Sequence, residues 1–285
     1  MRKNLFSLCC TALLLCVGGQ AFSTGPEDKQ AILRTLNYYF EAVNMGSSAE
    51  LRQAYHPQAT FAFIDKQSGK LSQMPVSDFF ALIDRDSYIK YERRLEIKQL
   101  DISGTAAFAE TVIYYDRNGK ELHDFLSLLK VGEQWRIISR VSYKQHAAFY
   151  GQPNWEVSAV DVEKIEKTIR QYVKSGSKRD GAGMKAALHP EAIMAYLDDI
   201  QGLRLQSRDA YVAGYTAKEG GAFKRRYRLS FVRAAGNVAL AKVEIYFRDY
   251  KATLTDYLSL IKEGDEWKII RKVSNKERMK YISGL

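Results

Sequence analysis

The chain has 285 residues, a formal net charge of +10, 46% hydrophobic and 27% charged residues, and three cysteines. This much apolar content excludes a disordered chain, and the length accommodates two globular domains. Cys9, Cys10 and Cys16 all lie near the N-terminus, so the chain beyond them can hold neither a disulfide nor a thiolate metal site.

Residues 1–23 read as a cleaved secretory signal peptide. Arg2 and Lys3 form a positive start, Leu5 to Val17 a short apolar run, and Gly19-Gln20-Ala21 or Ala21-Phe22-Ser23 a small-residue cleavage site. Cys16 follows Leu13-Leu14-Leu15, a poor context for lipidation. No other apolar stretch approaches the roughly 20 residues of a spanning helix. The expectation is a periplasmic or secreted protein that is not transmembrane.

A first domain is expected over 27–144. Ile32, Leu33, Leu36, Tyr39, Phe40 and Val43 recur at helical spacing until Gly46-Ser47-Ser48 interrupts them. A short second helix stops at Ala54-Tyr55-His56-Pro57, because proline cannot continue a helix and disfavours helical backbone in the residue before it. A strand around Phe61 and Phe63, a turn at Ser68-Gly69 and a helix from Asp78 to Ile83 follow. Four strands then run over Tyr91 to Ile102, Ala106 to Tyr115, Glu121 to Val131 and Gln134 to Val141. Their turns are Ser103-Gly104, Asn118-Gly119 and Gly132. Helices first and an antiparallel meander afterwards predict an α+β fold, with helices covering one face of a curved sheet.

A linker over 145–160, containing Gly151-Gln152-Pro153-Asn154, leads to a second domain at 161–276 that repeats the order. Val162, Ile165, Ile169, Tyr172 and Val173 mark its first helix, and Ala187-Leu188-His189-Pro190 ends its second. Residues 124–142, DFLSLLKVGEQWRIISRVS, return at 256–274 as DYLSLIKEGDEWKIIRKVS, with eleven of nineteen positions identical. The shift of 132 residues is far longer than a solenoid repeat and indicates a duplicated domain. Charge is not duplicated. Residues 24–150 hold 16 Lys and Arg against 16 Asp and Glu, whereas 151–285 hold 25 against 17. That surplus suggests an anionic partner for the second half: a membrane surface, a polymer, another protein or the first domain itself. Lys224, Arg226 and Arg228 share the outward face of one strand, where the first copy has Glu92, Arg94 and Glu96. Export makes nucleic acid an unexpected partner.

Two helices ending in His-Pro, then a strand, a helix and a meander closing on Asp-Phe/Tyr-Leu-Ser-Leu-x-Lys…Trp-x-Ile-Ile, resemble the nuclear transport factor 2-like superfamily. Within it the chain is most similar to the bacterial group labelled putative lumazine-binding, over 28–144 and 161–275. The resemblance implies a cone-shaped pocket between the helices and the concave sheet. It implies less about activity, because the superfamily spans isomerases, dehydratases, cyclases and non-catalytic binding modules.

Strand alternation puts Arg93 and Arg225 on mainly apolar faces, where a guanidinium could clamp a carboxylate or snorkel to water. Trp135 and Trp267 alternate in phase with Ile137/Ile269 and Val141/Val273, as core anchors or pocket lining. Asp124 and Asp256 open the penultimate strands and could move protons if buried. Tyr39 and Tyr172 on the first helices could supply an oxyanion donor or a ligand contact. His56 and His189 are the histidines repeated at matching positions, as bases or as partners of helix-end carbonyls. No HExxH, phosphate loop or dinucleotide fingerprint occurs, so no metal or cofactor is expected. The residues therefore suggest non-catalytic binding of a small organic ligand or partner. The alternatives are an isomerase, dehydratase or cyclase built on Asp, His and Tyr, or an interaction scaffold whose two units form an intramolecular pseudo-dimer.

Overall fold

The computed structural model describes residues 25–85, 93–115, 120–146, 156–217, 222–248 and 251–278. The signal-like segment, the Asn118-Gly119 turn and the Gly151–Asn154 part of the linker lie outside them. The first unit contains α1 (Pro26–Met45), α2 (Ser48–Ala54), β1 (Tyr55–Ile64), β2 (Leu71–Pro75), α3 (Val76–Arg85), β3 (Arg93–Ser103), β4 (Ala106–Tyr115), β5 (Lys120–Val131) and β6 (Gln134–His146). The second repeats it with α4 (Ala159–Lys178), α5 (Gly181–Ala187), β7 (Leu188–Asp198), β8 (Gly202–Ser207), α6 (Arg208–Thr216), β9 (Arg225–Ala235), β10 (Val238–Phe247), β11 (Ala252–Glu263) and β12 (Glu266–Arg278).

Each unit is α+β, with sheet orders β2-β1-β6-β5-β4-β3 and β8-β7-β12-β11-β10-β9. Neighbours are antiparallel except β1 with β6 and β7 with β12. The short edge strands β2 and β8 stand where the sequence suggested only a turn. Leu71–Pro75 carries no alternating apolar pattern, and Pro75 is tolerated because it ends an edge strand. No helix among the described residues is long and apolar enough to cross a membrane.

The repeated motif ties the last hairpin of each sheet to the first helix. Gly132 and Gly264 sit at φ 61° and 60°, the left-handed geometry of a tight turn. The turn sets Lys130 opposite Trp135, and Lys262 opposite Trp267. Both partners reach the acid in the first helical turn. Trp135 Nε1 donates to Asp28 at 2.9 Å and Lys130 pairs with it at 3.0 Å. Trp267 Nε1 and Lys262 each meet Asp161 at 2.8 Å. Thr35 and Thr168 add hydrogen bonds to the carbonyls of Trp135 and Trp267, at 2.9 and 3.0 Å. A helix start also favours negative charge through its exposed N–H groups.

Both faces of each sheet are covered. The concave faces pack on the helices through Leu36, Tyr39, Leu126 and Ile137 in one unit and Ile169, Tyr172, Leu258 and Ile269 in the other. The opposite faces pack on each other: Phe108, Phe125, Leu129, Ile138 and Val141 join Leu240, Tyr257, Ile261, Ile270 and Val273 in one core. Phe108 lies 6.1 Å from Phe125, 5.9 Å from Phe231 and 6.3 Å from Tyr257, ring centre to ring centre. Hence Leu122 to Leu129 of β5 are buried without a break, the pattern of a strand covered on both sides. The tandem units are an intramolecular pseudo-dimer.

Val141 and Val273 correct the expected alternation. A bulge lies between Ser127 and Leu128 in the β5–β6 register, and between Ser259 and Leu260 in β11–β12. It inserts Ile138 and Ile270 as unpaired residues. Trp135 and Ile137 therefore face the helices while Val141 faces the other unit, because one extra residue inverts every side chain after it.

The tie at Asp161 has a pH signature. Its hydrogen bonds from Lys262 and Trp267 lower its carboxyl from 3.8 to about 2. A depressed carboxylate stabilises the fold above its unfolded pKa, and that contribution is lost as pH falls through the folded one. Acid unfolding followed by circular dichroism should show stability declining between about pH 4 and 2. Asp161→Asn should remove that component; an unchanged acid limb would refute the tie.

Candidate functional site

The bulge turns a cation toward the helix-covered face of each sheet, where the expected cone would lie. Asp124 on β5 is fully buried and faces Ser142 directly across the strand pair. Its Oδ1 accepts from Ser142 Oγ at 2.5 Å and Arg140 Nε at 2.9 Å, and its Oδ2 accepts from Tyr39 Oη at 2.6 Å. Arg140 is boxed by rings, its Cζ lying 4.9, 5.5 and 5.8 Å from the centres of Phe61, Tyr39 and Phe79. Burial disfavours the Arg140 cation, but Asp124 and the surrounding tyrosines outweigh it, so its pKa rises above the usual arginine value. Burial, reinforced by Asp124, raises the Tyr39 hydroxyl well above its ordinary range, which keeps it a proton donor.

The second unit rebuilds the cluster with different parts. Asp256 Oδ1 accepts from Ser274 Oγ at 2.8 Å and pairs with Lys272 Nζ at 2.9 Å. Tyr172 Oη donates to Asp256 Oδ2 at 3.1 Å and meets Tyr211 Oη at 2.9 Å. Tyr211 occupies the place that strand register gives to Phe79 in the first unit. Burial raises both of these tyrosines well above the ordinary value, Asp256 adding to the shift of Tyr172 and Tyr172 to that of Tyr211.

Two buried hydroxyls distinguish the first cone. Tyr55 Oη and Thr111 Oγ1 make no hydrogen bond of ordinary geometry among the described residues, although the Arg140 guanidinium lies close enough to Tyr55 to act on its hydroxyl. Tyr55 packs edge-on against Tyr39 at 5.7 Å, and Thr111 stands across the β4–β5 ladder from Asp124. The matching positions in the second unit are Leu188 and Val243. Burial pushes the Tyr55 hydroxyl up as well.

The other sequence candidates sit apart from this cluster. Arg93 Nη1 donates to the Val43 carbonyl near the end of α1, and its guanidinium lies 5.1 Å from the Tyr115 ring centre. Arg225 donates to Val173 O and Ser177 Oγ, both at 2.7 Å. These arginines bind helix-end carbonyls. Trp135 and Trp267 lie in the helix–hairpin ties. His56 Nδ1 accepts from the Gln58 N–H at 3.2 Å, and burial followed by the positive Arg136 lowers its pKa below the usual histidine value. His189 Nδ1 accepts from the Glu191 N–H at 3.1 Å, and its Nε2 lies 3.4 Å from Glu263. Among the described residues, no group of three or more histidines, cysteines and acids is placed to hold a metal.

Arg140, Lys272, Ser142, Ser274, Tyr55, Thr111 and Tyr211 were not among the sequence candidates. Strict alternation turns Arg140 and Lys272 outward. The available signal was the repeat itself, in which a basic residue stands two places before the retained Ser142/Ser274 in both copies.

The profile of the family described as putative lumazine-binding matches residues 27–143 and again 160–274. Among curated proteins, the aldolase FrzH of a Cladobotryum species is 23% identical over 112 residues, covering 39% of this chain and 86% of that protein. Among solved structures, a nuclear transport factor 2-like protein of unknown function from Shewanella baltica is 29% identical with a TM-score of 0.40, covering 44% of this chain and 99% of that one. A cystatin-like fold protein from Burkholderia xenovorans is 16% identical with a TM-score of 0.36, covering 43% and 96%.

A buried ion pair of this kind makes a definite thermodynamic demand. Asp124→Asn leaves Arg140 buried without its counter-charge and should cost about 3–5 kcal/mol in urea unfolding. Asp124→Asn combined with Arg140→Met should recover most of that loss, because no uncompensated charge remains. Equal destabilisation by the single and double variants would contradict the pairing.

Proposed function

The chain belongs to the putative lumazine-binding family in two tandem nuclear transport factor 2-like units, and from that premise we propose that it binds a small organic ligand, chiefly in its first cone, without converting it. The observation that carries this reading is the contrast between occupied and spare polar groups. Asp124 already accepts from three donors of its own chain and is ion-paired with Arg140, so three of its roughly four acceptor sites are filled and it is poorly placed to take a ligand proton. Tyr55 and Thr111 are buried hydroxyls with hydrogen-bonding capacity to spare, and a ligand carbonyl, hydroxyl or ring nitrogen would satisfy them. Aromatic walls at Tyr39, Tyr55, Phe61 and Phe79 suit a planar, weakly polar molecule. Titration calorimetry with lumazine should report binding that weakens roughly two- to ten-fold in each of Tyr55→Phe and Thr111→Val. No binding at about 1 mM lumazine (a Kd too weak to measure), or affinities unchanged from the wild type in both variants, would sink the proposal.

A second reading is favoured by one difference between the units. Where the first cone holds a guanidinium, the second holds the primary amine of Lys272 beside Asp256, Tyr172 and Tyr211. In its deprotonated form the Lys272 amine can add to a ligand carbonyl and expel water as an imine, a step no arginine performs. Borohydride in the presence of a simple ketone should then fix a reduced adduct on Lys272. Labelling confined to exposed lysines, unchanged in Lys272→Arg, would exclude it.

A further inference from the structure

The pairing of the two units carries a charge inversion that accounts for part of the second half's basic surplus. Asp101 on β3 pairs with Lys242 on β10 at 2.6 Å, and Glu110 on β4 pairs with Arg233 on β9 at 2.7 Å. Strand register makes Arg233 the second unit's equivalent of Asp101, and Lys242 the equivalent of Glu110. The two bridges are thus one contact, seen twice across a pseudo-two-fold axis, with both acids in one unit and both bases in the other. Tyr257 Oη donates to Asp101 as well. Its equivalent, which a base would face, is Phe125 and has no hydroxyl.

Size is inverted alongside charge. Arg271 on β12 is 2% exposed and reaches into the first unit, donating to Thr60 Oγ1 at 3.1 Å and to Gln73 Oε1. Its equivalent on β6 is Ser139, and both line one cavity of about 10 Å³ between the units. Two arginines could not share this place, and two serines would leave a larger void.

We infer that this inner face is coded for the unlike unit of the same chain and against either unit's own kind. Two first units facing each other would set Asp101 against Glu110. Two second units would set Arg233 against Lys242 and Arg271 against Arg271. Like charges at a packed interface exclude a pairing more strongly than complementary ones strengthen it. The code therefore selects first-with-second pairing, and the covalent tether supplies that partner from the same chain, which keeps the chain a monomer although its fold presents a face suited to dimers.

The test exchanges one acid and one base in the full-length chain. In E110K/K242E the cis pairing opposes like charges at both bridges, while at those bridge positions each unit becomes complementary to its own kind; two first units, which have Ser139 in place of Arg271, then face no remaining like-charge contact there. Light scattering should find the wild-type chain at its own mass of 32.5 kDa and this variant at twice that mass or more. The fourfold exchange D101R/E110K/R233D/K242E restores unlike charges in cis and should return the monomer, which also separates miscoding from a simple failure to fold. A wild-type dimer formed through this face, a monomeric E110K/K242E variant with an unchanged urea midpoint, or a fourfold variant that stays oligomeric would each overturn the inference.

Discussion

A single extra residue in the last strand of each sheet determines how the rest of the molecule is arranged. These sheets must be apolar on both sides, one against helices and the other against the companion unit, so alternation alone cannot assign a side chain to a face. The bulge at Ile138 and Ile270 makes that assignment. It sends two consecutive side chains toward the companion unit, then turns Arg140 and Lys272 toward the helices. Without it the cones would lack their cations, Asp124 and Asp256 would be buried without counter-charges, and Val141 and Val273 would leave the shared core. A desolvated carboxylate with no partner is among the more destabilising features a small domain can carry.

On that common frame the copies have diverged in chemistry more than in shape. Each cone keeps an aspartate, a serine opposite it and a tyrosine from the first helix. The cation changes from arginine to lysine, and the second tyrosine moves from the start of β1 to the helix before the meander. Guanidinium is planar and stays charged, whereas a lysine amine is a compact point charge that can also act as a nucleophile. The first unit retains two unsatisfied hydroxyls where the second has leucine and valine. Duplication has produced two related buried clusters with different polar inventories.

Much of the architecture was legible in the residues. Helical spacing up to Gly46, proline after His56 and His189, and glycine turns in the meander each have a local physical cause, and the repeat offered every element twice. The site was less legible because its members meet through long-range geometry. Asp124 stood out as a retained polar residue in an apolar strand, and Tyr39 as an aromatic on the helix facing it. Arg140 was hidden, since a bulge leaves no mark in local composition. Arg93 and Arg225 did lie on the apolar side, but their reach ends at helix carbonyls rather than at the aspartates. Strands β2 and β8 were invisible because short edge strands need little apolar content.

The shared inner core has a consequence in time. Phe108 and Phe125 lie in strands completed early along the chain, yet Tyr257, Ile270 and Val273, which cover them, come from the last two strands of the second unit. While the second unit is being made, the first exposes a broad aromatic and aliphatic sheet face to whatever surrounds it. Such a face is adhesive toward other unfinished chains. The interval between synthesis of the two halves is therefore the vulnerable period in the life of this protein, one that chaperone capture or a fast-folding second half would shorten.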